Sequence, residues 1–291
     1  MSAVATLPRR LVTSSRPLSW INTAYPFAAA YLLTVGRIDV TVVVGTIFFL
    51  VPYNLAMYGI NDVFDYESDL RNPRKGGVEG AVLDPSVHRA TLWAAVLVCL
   101  PFVVYLYAVS GAVAALVLTV SLFAVVAYSA PRLRFKERAF VDSLTSSTHF
   151  VSPALFGLTV AHATWTPALV AVVVGFFCWG VASQAFGAVQ DIGPDREAGL
   201  GSVATVIGAR PTVWFAAAVY ALAGVLLLFA TPPGPLAALL ALPYIANVLR
   251  FRSVTDTTAE RTNAGWHTFL WLNYVTGFLV TMLLIWWWMT R

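Results

Sequence analysis

Residues 40–69 read VTVVVGTIFFLVPYNLAMYGINDVFDYESD. As far as Ile60 the stretch is almost wholly apolar, and a helix needs ~20 such residues to cross ~30 Å of hydrocarbon. It then runs directly into Asp62, Asp65, Glu67 and Asp69. If the helix continues, Asn61, Asp65 and Asp69 recur at successive turns and Asp62 lies three residues before Asp65, so these four share one face. Like charges at that spacing repel, and near a bilayer each ionised carboxylate costs up to ~3 kcal/mol. Something cationic has to offset them. An apolar span that ends in an acidic face implies an all-α, membrane-embedded fold and marks where its chemistry should lie.

Composition carries the same reading over the whole chain. Of 291 residues, 59% are hydrophobic and 11% charged, against ~25% charged in ordinary soluble proteins. The mean hydropathy is +0.76. That much apolar surface excludes a soluble enzyme, a disordered chain and a nucleic-acid-binding module. Cys99 and Cys178 both lie in apolar runs, without disulfide or zinc spacing. Nine spans are expected, at 18–36, 40–60, 88–109, 111–130, 139–161, 166–190, 211–231, 234–250 and 266–289, with no cleavable signal peptide before them. They would form a single membrane domain over 1–291. Of the 18 Lys and Arg residues, all but Arg37 and Arg291 fall at the N-terminus or in and beside the connections 61–87, 131–138, 191–210 and 251–265. The positive-inside rule therefore places the N-terminus and these connections in the cytoplasm, as in a multi-pass protein of the cell membrane.

The acids follow the bases. All of the 14 Asp and Glu residues except Asp39 are on the same expected side, and a second cluster, Gln190-Asp191-Ile192-Gly193-Pro194-Asp195-Arg196-Glu197, closes the sixth span. Gly193-Pro194 is expected to break the helix there, leaving Asp191 and Asp195 near each other. Hard oxygen donors of this kind suit Mg²⁺, which keeps waters and shares one or two carboxylates with substrate phosphates. Two acidic clusters could thus hold Mg²⁺ around a diphosphate. Arg71, Arg74, Lys75, Arg132, Arg134, Lys136 and Arg196 are candidates to neutralise its remaining oxygens. The two halves repeat one plan, an acidic motif with a glycine tail, two spans and a basic connection, which suggests an internal duplication.

Three motifs then resemble a known family. NDVFDYESD fits the N-D-x-x-D-x-x-x-D motif of the UbiA superfamily of intramembrane prenyltransferases. QDIGPDREAG resembles its second, D-x-x-x-D motif, with Pro194 as a departure. Tyr128-Ser129-Ala130-Pro131, followed by Arg132, Arg134 and Lys136, resembles its Y-[SP]-x-P-x-x-x-K loop. The resemblance implies a helical bundle with a central cavity and Mg²⁺-dependent ionisation of a prenyl diphosphate. It makes Asn61, Asp62, Asp65 and Asp69 the first metal and diphosphate set and Asp191 and Asp195 the second. Asp62, Asp65, Asp191 and Asp195 would be the catalytic acids, and Tyr128, Arg134 and Lys136 would contact the diphosphate or cap the cavity. SRPLSWINTAYPFAAAY (15–31) and VPYNLAMYGINDVFDYESDLRNPRKGGVEGA (51–81) are similar to the carotenoid-prenylating branch, the lycopene elongases. That branch implies dimethylallyl diphosphate as donor and an apolar acceptor such as lycopene.

In the implied reaction a prenyl cation is attacked by an acceptor double bond inside an aromatic, water-poor cavity. Trp20, Tyr25, Phe27, Tyr31, Tyr53, Tyr58, Phe150 and Phe186 are candidates for cation–π contact, though aromatics in spans more often pack. Asn22 and Asn54 are expected to bridge helices. His149 could serve as the final base, but a satisfied interior histidine is the commoner case. Two alternatives stand beside this reading. An aromatic polyprenyltransferase of quinone biosynthesis should carry a charged partner for its acceptor deep in the spans, and none is seen. An ion-coupled transporter should carry its acids near the midplane, not at helix ends beside bases.

Overall fold

The structure, a computed structural model, describes residues 7–71 and 82–290. Among them all regular structure is helical. The helices, in chain order, begin with α1 (Leu7–Ser14), α2 (Ile21–Val35), α3 (Val40–Leu50), α4 (Pro52–Phe64) and α5 (Tyr66–Arg71). Next come α6 (His88–Ala108), α7 (Ala112–Ser129), α8 (Val141–Val160) and α9 (Pro167–Val189). The chain continues with α10 (Ile192–Glu197), α11 (Val203–Ile207), α12 (Ala209–Leu227), α13 (Ala241–Leu249) and α14 (Asn263–Met289).

Six helical stretches among the described residues are long and apolar enough to cross a membrane: Val40–Phe64, Pro85–Ala108, Ala112–Ser129, Pro167–Val189, Ala209–Leu227 and Asp256–Met289. The other three expected spans are helical too, but differ for physical reasons. The first keeps only 15 helical residues in α2. The eighth is divided between a 3₁₀ stretch, Gly234–Leu240, and α13. The fifth, α8, is 20 residues long but carries Asp142, Ser143, Ser146, Ser147, His149 and Ser152, all buried. Its polarity is turned inward.

The chain divides into two compact units, Met1–Phe135 with His149–Ala163 and Lys136–Thr148 with Thr164–Arg291. In the first unit, α2 ends at Gly36 in the left-handed region (φ 74°), and Asp39 then starts α3 by accepting the Val42 N–H at 3.0 Å. Desolvation raises the Asp39 carboxyl, but that N–H and the Tyr31 hydroxyl outweigh it and hold the group below its ordinary value. Pro52 opens α4 with a break from α3. The Asn54 amide fills the break, donating to the Phe49 and Leu50 carbonyls at 2.9 and 3.0 Å and to Thr23 at 2.7 Å. Thr23 itself donates to Phe49 at 2.6 Å. Asn54 thus bridges helices, as expected. Phe27, Tyr31 and Tyr53 pack with Phe48, Phe49 and Phe156 in the core of this unit. Helices α2 and α8 meet at Gly157, where a Cβ would stand 2.8 Å from the Phe27 carbonyl oxygen.

In the second unit α9 packs on α12 through small residues, Ala182, Ala185, Ala209 and Ala216 among them, which lets the backbones approach closely. Ser183 and Tyr220 bond across that contact at 2.9 Å. The start of α8 joins α9 through the Ser146 and Ser147 hydroxyls, which donate to the Gln184 side chain at 3.0 Å and the Phe177 carbonyl at 2.7 Å. Phe186 packs in this core against Phe251.

Candidate functional site

The first acidic motif lies across the junction of α4 and α5. Asp65 leaves helical geometry there, yet its N–H bonds the Asn61 carbonyl at 2.9 Å and its own carbonyl accepts the Asp69 N–H at 2.8 Å. The turn-by-turn bonding therefore carries across the junction, and Asp62, Asp65 and Asp69 are all buried, at 1%, 3% and 6% exposure. Glu67, between them, is exposed.

Burying carboxylates in this way demands compensation, and two arginines supply part of it. Arg16 donates to Asp62 Oδ1 at 3.1 Å while Ser14 donates to Oδ2 at 2.8 Å. The Arg16 guanidinium also lies 4.2 Å from the centre of the Tyr58 ring. Arg134 stands 3.8 Å from Asp65 Oδ1. At that separation a unit-charge pair gains about 4 kcal/mol at an effective dielectric of 20. Arg16, Arg132 and Arg134 all hold positive φ (51°, 73° and 41°), each costing on the order of 1–2 kcal/mol. Around Arg132 the chain turns tightly, with the Leu133 and Arg134 N–H groups both on the Ala130 carbonyl, at 3.2 and 3.0 Å.

The Y-S-x-P loop reaches the same acids from α7. Ser129 donates to Asn61 Oδ1 at 2.9 Å, and Tyr128 lies edge-on to His149. Two motifs separated in sequence thus meet at one helix end. Ser14, Arg16 and Ser129 join the site although their roles were missed in the sequence. The Arg16-Pro17 pair ahead of the first span and the serine inside the loop motif were the available signals.

In the second unit the expected helix break shifts. Helix α9 ends at Val189, and Gly193-Pro194 lie within the first turn of α10, where a proline's missing N–H has no intrahelical partner to lose. The Asp195 N–H bonds the Asp191 carbonyl at 2.9 Å, so the two acids stand one turn apart, both half-buried. Arg196 donates to Asp256 Oδ2 at 2.7 Å and to the Thr205 carbonyl at 2.9 Å. Lys136 precedes Glu137, whose carbonyl lies against Gly201 in the glycine tail of this motif. For Arg71 only the backbone is described, and Arg74 and Lys75 lie outside the described residues.

The donor set of the first motif is three carboxylates and one amide oxygen, a hard oxygen set that fits Mg²⁺. Among the described residues no three His, Cys, Asp or Glu side chains form a metal cage by themselves.

The model of the UbiA prenyltransferase family matches residues 23–274. The chain belongs to the UbiA prenyltransferase family. Among curated proteins it is 60% identical over 277 residues to the C(50) beta-cyclic carotenoids biosynthesis protein LbtBC of Dietzia sp. (strain CQ4), covering 95% of this chain and 64% of that one. The chain thus spans less than two thirds of that relative's length. It is 54% identical over 277 residues to a lycopene elongase/hydratase of Corynebacterium glutamicum, covering 95% of this chain and 96% of that one. In fold it resembles a UbiA homolog from Archaeoglobus fulgidus bound to DMAPP and Mg²⁺. The TM-score is 0.67 at 16% identity, over 92% of this chain and 98% of that one. A UbiA homolog from Aeropyrum pernix K1 in its apo form gives 0.62 at 17% identity, over 96% and 100%. Among its described residues this UbiA chain is thus all-helical, with six stretches long and apolar enough to cross a membrane and a fold shared with both archaeal proteins.

Proposed function

We propose that this chain transfers a dimethylallyl group from its diphosphate to the ends of a linear carotene such as lycopene, in a Mg²⁺-dependent reaction. The transfer chemistry is supported by the meeting of the first acidic motif with the Y-S-x-P loop, through Asn61–Ser129 and Asp65–Arg134. The acceptor is carried over from relatives named for lycopene elongation and C50 carotenoid synthesis. Asn61, Asp62, Asp65 and Asp69 would hold Mg²⁺, and Asp191 and Asp195 join them on the strength of their sequence motif. When bound, Mg²⁺ neutralises the charge that builds on the diphosphate as the allylic carbon–oxygen bond breaks.

The chain's own residues do the rest. Arg132, Arg134 and Lys136, with Arg71, Arg74, Lys75 and Arg196, supply cationic donors to phosphate oxygens, the arginines in forked pairs. Tyr128 contacts the same group. The resulting allylic cation takes the electron pair of the acceptor's terminal double bond, and the tertiary cation so formed loses a proton or takes up water. The protein works as a single domain over residues 1–291 in the cell membrane, with nine spans around a central cavity. Its N-terminus and motif loops face the cytoplasm, in keeping with where Lys and Arg fall. The bilayer supplies the apolar acceptor, and no nucleic acid is involved.

The test uses membranes from a lycopene-producing host that expresses the chain, given dimethylallyl diphosphate and Mg²⁺. Carotenoids heavier by one and two five-carbon units are expected, absent without Mg²⁺ or with Asp65→Ala. Unchanged lycopene from folded, membrane-inserted protein would overturn the reading.

A further inference from the structure

His149 follows Ser146-Ser147-Thr148 on α8 and is 3% exposed. Its Nε2 is buried without a hydrogen-bond partner among the described residues. The rest of the ring has neighbours. The backbone carbonyl of Ala124 on α7 accepts a hydrogen bond from it. Tyr128, one turn further along α7, meets it edge-on, with ring centres 5.2 Å apart at 79°. A carbonyl can only accept, so the nitrogen facing Ala124 carries the ring proton and Nε2 keeps a bare lone pair.

The nearby hydroxyls are directed elsewhere. Ser121 bonds Ser152 at 2.7 Å and Tyr53 at 3.0 Å, while Tyr53 reaches the backbone carbonyl of His149 at 3.5 Å. A buried acceptor left without a donor carries a desolvation penalty that Leu or Phe at this position would not. The ring of this histidine is therefore satisfied on one side only, with its bare nitrogen buried beside a motif tyrosine.

We infer that His149 Nε2 accepts the proton that ends the transfer reaction. The inference rests on the prenyl-transfer reading above and assigns the base that this reading leaves open. After the allylic cation has bonded to the acceptor, the tertiary cation must lose its charge. If the proton comes from the adjacent carbon, the C–H electron pair becomes the new double bond and the proton passes to Nε2. If water attacks instead, its oxygen bonds to the cationic carbon and one of its protons passes to Nε2. Either way the imidazole becomes imidazolium and returns its proton to water when the product leaves. Nε2 is covered in this structure, so the cation reaches it when a neighbouring side chain turns aside, and Tyr128 is the aromatic group in ring contact.

The test compares wild type, His149→Gln and His149→Asn in membranes with lycopene, dimethylallyl diphosphate and Mg²⁺ in heavy-oxygen water. Gln places a non-basic amide near the position of Nε2, and Asn keeps a group opposite Ala124 with nothing at Nε2. The readout is the ratio of terminated elongation product to dimethylallyl alcohol, formed when water captures the first cation. Loss of the base should lower that ratio about tenfold or more in both variants. A purely structural role would lower both products together and leave the ratio alone. Heavy oxygen in the wild-type elongation product identifies water as the proton source, and its absence identifies the C–H bond. An unchanged ratio in both variants would overturn the assignment and leave the prenyl-transfer reading intact. Absence of elongated carotenoid from wild type would remove the reading and the inference together.

Discussion

Arg16 places its guanidinium 3.1 Å from Asp62, 46 residues further along the sequence, while lying over the Tyr58 ring at 4.2 Å. The pair ties the segment between α1 and α2 to the acid face of α4. It also supplies Asp62, 1% exposed, with the partner that a buried carboxylate needs.

Breaking this pair should be costly. Removing one partner of a buried ion pair costs ~3–5 kcal/mol, and the partial exposure of Arg16, 19% of its side chain, reduces that to about 2 kcal/mol. Arg16→Ala should lower the thermal midpoint in detergent accordingly. Adding Asp62→Asn should recover part of the loss, because the stranded charge is then gone. Strictly additive losses in the double variant would show that the two residues are not coupled.

Ser129 holds the side-chain oxygen of Asn61 and so fixes which way that amide faces. One such hydrogen bond contributes about 1 kcal/mol, or about fivefold in rate. Ser129→Ala should slow carotenoid elongation by about fivefold, and Ser129→Thr should restore most of it. A Thr variant as slow as Ala would point to steric disturbance of the loop instead.

Arg196 pairs with Asp256 at 2.7 Å, with side-chain exposures of 45% and 39%. An ion pair so exposed contributes less than about 1 kcal/mol, so a role in diphosphate binding can be tested without unfolding the protein. Arg196→Ala should leave the thermal midpoint nearly unchanged and raise the apparent KM for dimethylallyl diphosphate about tenfold. Asp256→Asn keeps an oxygen for the Ala209 N–H and should leave that KM alone. Equal KM values in all three proteins would remove Arg196 from the diphosphate site.

Gly157 is a packing position with no chemical role. Its absent Cβ leaves room for the Phe27 carbonyl at 2.8 Å and the Tyr31 backbone nitrogen at 3.3 Å. Gly157→Ala should force α2 and α8 apart and cost about 1–3 kcal/mol, as overpacking does, read as a lower thermal midpoint in detergent. A midpoint at or above wild type would mean that the helices can separate without loss.

The parts legible in the sequence were those governed by local geometry. Apolar runs of about 20 residues announce membrane helices because hydrocarbon cannot satisfy backbone hydrogen bonds. The spacing of Asp62, Asp65 and Asp69 announces a shared face because the helix repeats every 3.6 residues, and the Asp65 and Asp69 N–H bonds carry that repeat through the junction. Local rules misplaced the break near Pro194. They register that proline disrupts a helix interior, while the structure starts a new helix just before it, and a first turn tolerates proline.

Whatever depends on which distant segments touch was decided by the tertiary structure. Nothing periodic links Arg16 to Asp62, Ser129 to Asn61 or Arg134 to Asp65. These pairs follow from how α4 and α7 pack and from three arginines held at positive φ. The state of His149 is likewise beyond sequence, since a histidine in an apolar run reads the same whether Nε2 is paired or bare. Composition and helical period thus determined that this chain is a membrane-embedded helical protein with acids gathered on one helix face. Packing alone determined which cations answer those acids and which buried nitrogen is left able to take a proton, because burial and partnership belong to the folded neighbourhood of an atom and not to its place in the chain.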